Sequence, residues 1–481
     1  MADLETDYLV VGAGAVGMAF VDTLLEEDPD CHITIVDKHA RPGGHWNDAY
    51  SFVRLHQPSS TYGVNSLELC TDRVDLRGHN AGMYPLATQA EILAYYQRLM
   101  DDRFLASRRV AYFPLSEYHE DSGGPAVREL LSGKARSIEV RRKLVDATWY
   151  QTSVPATHKP AFEIAQDTRF AIPGDLPSLW KAPEKLPEHY VVLGGGKTAM
   201  DSVVWLLEAG VAASKIGWVR PRDSWMMNRR FLQPAKVNFE GLIDFQRLHV
   251  LAAANSDTGE EMFARLEEGG VMLRIDPQVT PEMFHYAVIS EGEVEMLRTV
   301  KAVYRQGRVT RVEPGRLHFG DHIESVPRDT LFIDCTATAV PFERRADDRP
   351  IFDGNRITLR LARVPFVPYC AALAAFLEAN FQTDEERNAL VPIAPLTDTS
   401  DTYPFGFMCN MISAGILGQN EKTNAFNNRS RLDPIGPALA ELIAEGSPKL
   451  AKLEQFGREL EENMPKIMAL GMKAKAIHEA A

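Results

Sequence analysis

Apolar positions in this chain gather in short unbroken runs rich in β-branched residues, several of them followed by a stretch with helical spacing. That is the pattern of parallel strands buried on both faces and joined by helices. YLVV at 8–11 ends in Gly12, Gly14 and Gly17; MAFVDTLLEEDP then predicts a helix stopping at Pro29, and CHITIVDK a second strand ending at Asp37 with Lys38 beside it. The order returns from Tyr190. YVVLGGGKTAMDSVVWLLEAGV reads as a strand, a turn through Gly194 and Gly196, and a helix opened by Lys197, Thr198 and Ala199; KIGWVRPR is a strand running into Arg220 and Arg222.

A strand, a glycine turn and a helix N-terminus let backbone N–H groups approach a pyrophosphate, and an acid at the end of the next strand can bind a ribose hydroxyl pair. Gly12, Gly14, Ala15 and Gly17 form the first such cradle, with Asp37 twenty residues beyond Gly17. In the second, arginines replace the acid. A carboxylate there would repel a 2′-phosphate and arginines can pair with it, so Arg220 and Arg222 point to NADPH. The alternatives are ligand-free strand–helix turns and, for the arginines, a solvated loop.

KLVDATWYQTSVP at 143–155, which carries Thr148, is echoed by LFIDCTATAVP at 331–341. Both are apolar strands ending Asp-(Ala/Cys)-Thr, and they bracket the second cradle. This predicts an α/β protein of two Rossmann-like dinucleotide-binding domains, one inserted in the other: 1–155 with 330–481 and its C-terminal helices, and 156–329 between. A length of 481 residues allows this, since single cores stop growing at about 250 to 300 residues.

Composition narrows the function. A net charge of -14 argues against a nucleic-acid surface, and no apolar run is long enough for a membrane span. The N-terminus MADLETDYLVV lacks the basic and apolar regions of a signal peptide, and Cys31, Cys70, Cys335, Cys370 and Cys409 form no CxxC, which together predict a cytoplasmic protein without dithiol chemistry. The histidines show no metal-ligand spacing. WMMNRRFLQPAKVNFEGL, with Trp225 to Met227, Arg229 and Arg230, predicts a surface loop or a substrate entrance. The amide-rich stretch with Asn410, Gln419, Asn420 and Asn424 predicts hydrogen bonds toward a cofactor, and the segment 448–475 a packing or dimer surface.

Between the first cradle and this second unit lies DKHARPGGHWNDAYSFVRLHQPSSTY, where paired glycines precede a tryptophan. With two nested cradles the chain resembles the two-dinucleotide flavoprotein superfamily, and GGHWNDAYSFVRLHQPSSTY is similar to the run after the ribose acid in class B flavoprotein monooxygenases, the flavin-containing, Baeyer–Villiger and N-hydroxylating group. The resemblance implies FAD in the first cradle and NADPH in the second. It implies that Gly43, Gly44, His45 and Trp46 pack along the FAD and that Arg54, His56, Gln57 and Tyr62 approach the flavin or nicotinamide, with Arg54 holding negative charge and His56 handling protons. The implied reaction takes a small-molecule substrate and O2 and transfers one oxygen atom through a flavin C4a-(hydro)peroxide. The sequence departs from the group where a Phe-x-Gly should precede His158, and Thr336 is followed by Ala337 instead of glycine. An NAD(P)H-dependent flavin oxidoreductase without oxygen transfer, and a flavin-holding protein with an inactive nicotinamide site, are the alternatives.

Overall fold

The computed structural model describes residues 2–69, 73–121, 124–338, 340 and 347–480. Cys70, Ala339 and Pro341 lie outside them. Strand β1 (Leu4–Val11) is followed by helix α1 (Ala15–Glu27) and strands β2 (Ile33–Val36), β3 (Val110–Phe113) and β4 (Ala135–Asp146). β2 and β3 lie on one side of β1, and β4 returns on the other, all parallel. The sheet order therefore reverses between β1 and β4, and the crevice beyond their carboxyl ends is where open α/β sheets bind ligands.

A second sheet repeats this topology. After the short β5 (Phe170–Ala171), β6 (His189–Leu193) feeds α2 (Lys197–Glu208), then β7 (Ile216–Val219). β8 (Ser224–Asn228), α3 (Ala235–Ala254) and β9 (Met283–Ile289) follow as an outlying layer, then β10 (Ala302–Tyr304) and β11 (Thr330–Asp334). The order is β10-β7-β6-β11-β5, all parallel, with the reversal between β6 and β11. Residues 330–334, assigned by sequence to the first domain, are thus a strand of the second sheet. All five are buried, which an apolar strand between two parallel neighbours requires. The chain rejoins the first sheet at β12 (Phe352–Asp353) and β13 (Arg356–Thr358), where β13 pairs with β4.

Helix α4 (Val367–Asn380) is buried from Pro368 to Glu378 and packs on α1, as an all-round apolar helix must. The C-terminal helices α5 (Tyr403–Gln419) and α6 (Leu450–Ala480) divide their allegiance. Tyr403, Phe407, Ile467 and Leu470 join the core around Trp225, Phe263 and Phe284 of the outlying layer. The Trp225–Arg230 stretch is correspondingly no surface loop: Trp225 and Met226 are buried in β8, which pairs in parallel with β9, and within the stretch Arg230 alone is exposed. Among the described residues no helix is long and apolar enough to cross a membrane.

Candidate functional site

Both switch points are built alike. Gly12 N–H donates to the Val36 carbonyl at 2.8 Å, and Gly194 N–H to Val219 at 3.0 Å. Asp146 Oδ1 accepts from Thr148 N–H at 2.9 Å and Oγ1 at 2.8 Å; Asp334 Oδ1 accepts from Thr336 N–H at 2.9 Å and Oγ1 at 2.6 Å. The sequence echo is therefore one turn used twice, setting Thr148 against Gly12 and Thr336 beside the second cradle. His158 Nε2 lies 3.2 Å from Thr336 Oγ1, so it marks this crossing without the glycine expected before it.

In the first cradle, a Cβ on Gly17 would sit 2.0 Å from the Gly12 carbonyl oxygen, so α1 meets β1 closer than any side chain permits. Gly44 has φ +55°, and a Cβ there would stand 2.8 Å from Gly14 Cα: the Gly43–Gly44 turn lies directly on the cradle. Neither helix α1 nor α2 has a side-chain cap, which leaves their first N–H groups, from Ala15 and from Lys197 and Thr198 onward, for a ligand. Asp37 Oδ2 accepts from Ala13 N–H at 2.6 Å and Oδ1 from the His39 N–H at 2.7 Å. Lys38 is exposed.

Trp46 is 8% exposed and donates from Nε1 to the Tyr62 hydroxyl Oη at 2.8 Å, so the two aromatic residues brace the segment from inside the core. His45 stacks on Trp46, and burial pushes it down to about 4. The chain then crosses to the second cradle. Tyr50 donates its hydroxyl to Asp201 on α2 at 2.8 Å, Phe52 stacks on Trp205 at 5.0 Å, and His56 Nδ1 accepts from Val288 N–H at 3.1 Å.

His56 adjoins a buried charge network that sequence reasoning missed. Arg229, 1% exposed, pairs with Glu293 at 2.7 Å and donates to the His56 carbonyl at 3.1 Å. Lys197 pairs with Asp201 and lies 3.8 Å from Glu293. Burial raises the Glu293 carboxyl, but Lys197 and Arg229 outweigh it and hold it at about 2. Burial first, then the same two cations, push His56 down to about 3. With Nδ1 occupied as an acceptor, His56 is a neutral Nε2–H donor. Two cations beside this imidazole disfavour a third positive charge there. Arg54 is exposed, with a long 3.4 Å bond to the Leu86 carbonyl, and Gln57 is half-buried.

At the second cradle the two arginines part. Arg222 is exposed. Arg220 is 3% exposed, stacks over Trp218 at 4.7 Å and pairs with Asp223 at 3.4 Å, while its Nε and Nη1 have no hydrogen-bond partner among the described residues. Burial lowers its pKa. Arg305, after β10, bonds Asp223 at 3.2 Å and Asp276 at 2.9 Å and completes the cluster. Of the amide-rich stretch, Asn410 bonds both backbone groups of Val364 and Asn420 caps a helix, so these amides hold backbone.

Residues 10–69 match the model of an NAD(P)-binding Rossmann-like domain. The chain is 38% identical over 396 residues to uncharacterized proteins of Mycobacterium tuberculosis and Mycobacterium bovis, covering 82% of this chain and 71% of each relative. It belongs to their family. Among solved structures it is similar to a polycyclic ketone monooxygenase from the thermophilic fungus Thermothelomyces thermophila, at 14% identity and a TM-score of 0.51, over 93% of this chain and 89% of that one. At that identity the likeness is one of fold alone.

An alanine at Gly196 separates site from scaffold. Its Cβ would meet nothing within 4 Å. The Gly196→Ala protein should keep its stability to within about 1 kcal/mol, the cost of a poorer N-cap, while NADPH binding weakens about tenfold through lost backbone approach. Thermal melting and NADPH titration of the same preparation check the two halves.

Proposed function

We propose that the protein is an FAD-dependent, NADPH-reduced monooxygenase that inserts one oxygen atom of O2 into a small-molecule substrate. The observation that carries the reading is the covalent and hydrogen-bonded path from one cradle to the other. The segment leaving the Gly43–Gly44 turn is fastened to α2 by Tyr50 and to β9 by His56. Such a path holds two cradles in fixed relation, as hydride transfer between two bound nucleotides demands.

The residues fit the two groups. Gly12, Gly14, Gly17 and Gly44 pack the turn backbone against the uncapped start of α1 at Ala15, where a pyrophosphate would sit, with Asp37 toward the ribose. Gly194, Gly196, Lys197 and Thr198 stand in the same positions at α2, and the guanidinium of Arg220, whose Nη1 has no hydrogen-bond partner among the described residues, suits a phosphate monoester. FAD, when bound, supplies hydride acceptance and oxygen activation. The chain's part is to orient and to exclude water: Trp46 and Tyr62 fix the connecting segment, Lys197 keeps positive charge at the start of α2, and His56 offers one fixed N–H.

NADPH should oxidise faster than NADH, and Arg220→Ala should raise KM for NADPH about tenfold while leaving that for NADH, the loss of one charged hydrogen bond. Product analysis under labelled O2 decides the chemistry. Label in an organic product supports oxygen transfer; hydrogen peroxide as the sole product across candidate substrates supports the oxidoreductase without it.

A further inference from the structure

His39 lies between the ribose-facing acid and the paired glycines, and neither motif assigns it a role. It lies two residues beyond Asp37, half-buried, with both ring nitrogens against carboxylates: Nδ1 at 2.8 Å from Asp37 Oδ1 and Nε2 at 2.9 Å from Asp48 Oδ2. An ionised carboxylate only accepts hydrogen bonds, so two of them facing the two ring nitrogens favour donation from both and hold His39 as an imidazolium. Its two partners belong to different parts of the first cradle. Asp37 ends β2 and takes the Ala13 N–H of the glycine turn through its other oxygen. Asp48 caps the Gly44–Asn47 turn that rests on Gly14.

We propose that His39 is a positioning residue that ties the ribose-facing carboxylate of Asp37 to the Gly43–Asp48 turn, so that the shape of the flavin nucleotide cradle depends on an imidazolium clamp. The proposal rests on FAD as the ligand of the first cradle. With the Ala13 N–H, the His39 backbone N–H and the His39 Nδ1–H in place, three of the about four lone-pair sites of the Asp37 carboxylate are filled. One is left for a ribose hydroxyl, with its direction set. A neutral imidazole could serve only one of the two acids, and the turn would separate from Asp37.

The groups facing the clamp are Asp37 and Asp48, with His45 of the turn as a like charge when protonated and the Tyr112 hydroxyl of β3 near Asp37. The Asp37 hydrogen bond raises the His39 pKa, burial opposes it, and the Asp48 bond adds to the rise. A raised folded-state pKa means that the stabilisation is fully present below the ordinary histidine value of about 6.5 and is lost as pH rises through the folded value.

The test uses the full-length apoprotein and FAD. In wild-type apoprotein, the His39 ring resonance, assigned by its absence in His39→Gln, should titrate above the ordinary histidine value. FAD should bind about tenfold more weakly once that titration is complete, the equivalent of one charged hydrogen bond. His39→Gln should bind FAD at the weaker level at every pH, without the step, and Asp48→Asn should lower the titration midpoint. A His39 ring that titrates at or below the ordinary value, or a pH step in FAD affinity that persists in His39→Gln, overturns the proposal. If the apoprotein binds no FAD, the assigned ligand fails while the ring titration and the pH dependence of melting in the two proteins still decide the clamp.

Discussion

A Gly17→Ala protein is expected to lose bound FAD and to melt several degrees below the wild type. The added methyl would sit 2.0 Å from the Gly12 carbonyl oxygen. Backbone stands on both sides of the clash, so no rotamer relieves it and α1 must move away from β1. Overpacking of this kind costs about 1–3 kcal/mol or more. The movement withdraws the helix N-terminus from the pyrophosphate and disturbs Asp37, whose carboxylate holds the Ala13 N–H. Gly415→Ala is the control: in the middle of α5 a Cβ meets nothing within 4 Å, and the substitution should be neutral or stabilising by up to about 1 kcal/mol. Flavin content after gel filtration and thermal melting, measured on both variants, check the contrast.

The second large effect concerns the network between the cradles. Arg229→Met is expected to cost about 3–5 kcal/mol, because it strips the half-buried Glu293 carboxylate of its nearest cation and leaves it the Ser290 N–H at 2.8 Å and Lys197 at 3.8 Å. The direction with pH follows from Glu293. Its folded-state pKa is depressed to about 2, so the stabilisation it contributes is present above the unfolded carboxylate range and is lost as pH falls toward about 2. In Arg229→Met that support is weakened, and the stability gap to wild type should narrow as the pH falls from neutral toward 3. The Arg229→Met/Glu293→Gln double variant should recover part of the loss, since removing both charges leaves no uncompensated ion. Urea unfolding at neutral and acid pH would show it. A double variant no more stable than Arg229→Met would mean that the pair is not the source of the cost.

The parts of this site legible in sequence are those encoded within a few residues. The glycines, the helix that follows and the acid or arginine after the next strand form a local pattern. The Asp-x-Thr echo at 146–148 and 334–336 is equally local, and each is one side chain bonding its own turn. What escaped was pairing across distance. Glu293 meets Arg229 and Lys197 from sixty or more residues away, and Tyr50 meets Asp201 from 151. Nothing near His56 in sequence announces the two cations that push its imidazole pKa down. Arg220 and Arg222 were indistinguishable by type; the strand end buries one against Trp218 and leaves the other exposed. His39 was passed over because Asp48, which makes it an imidazolium, acts only once the Gly43–Gly44 turn has folded back.

The proposed function requires two nucleotides bound at once in fixed relation, with hydride passing between them. Anaerobic mixing of the FAD-loaded protein with NADPH, and separately with NADH, tests this most directly by following the visible absorbance of the flavin. The account predicts one FAD per chain and full bleaching by NADPH, faster than by NADH, with the Gly196→Ala protein retaining its FAD but bleaching only at higher NADPH. A protein that takes up no FAD, or one whose bound flavin neither nucleotide bleaches, would contradict it.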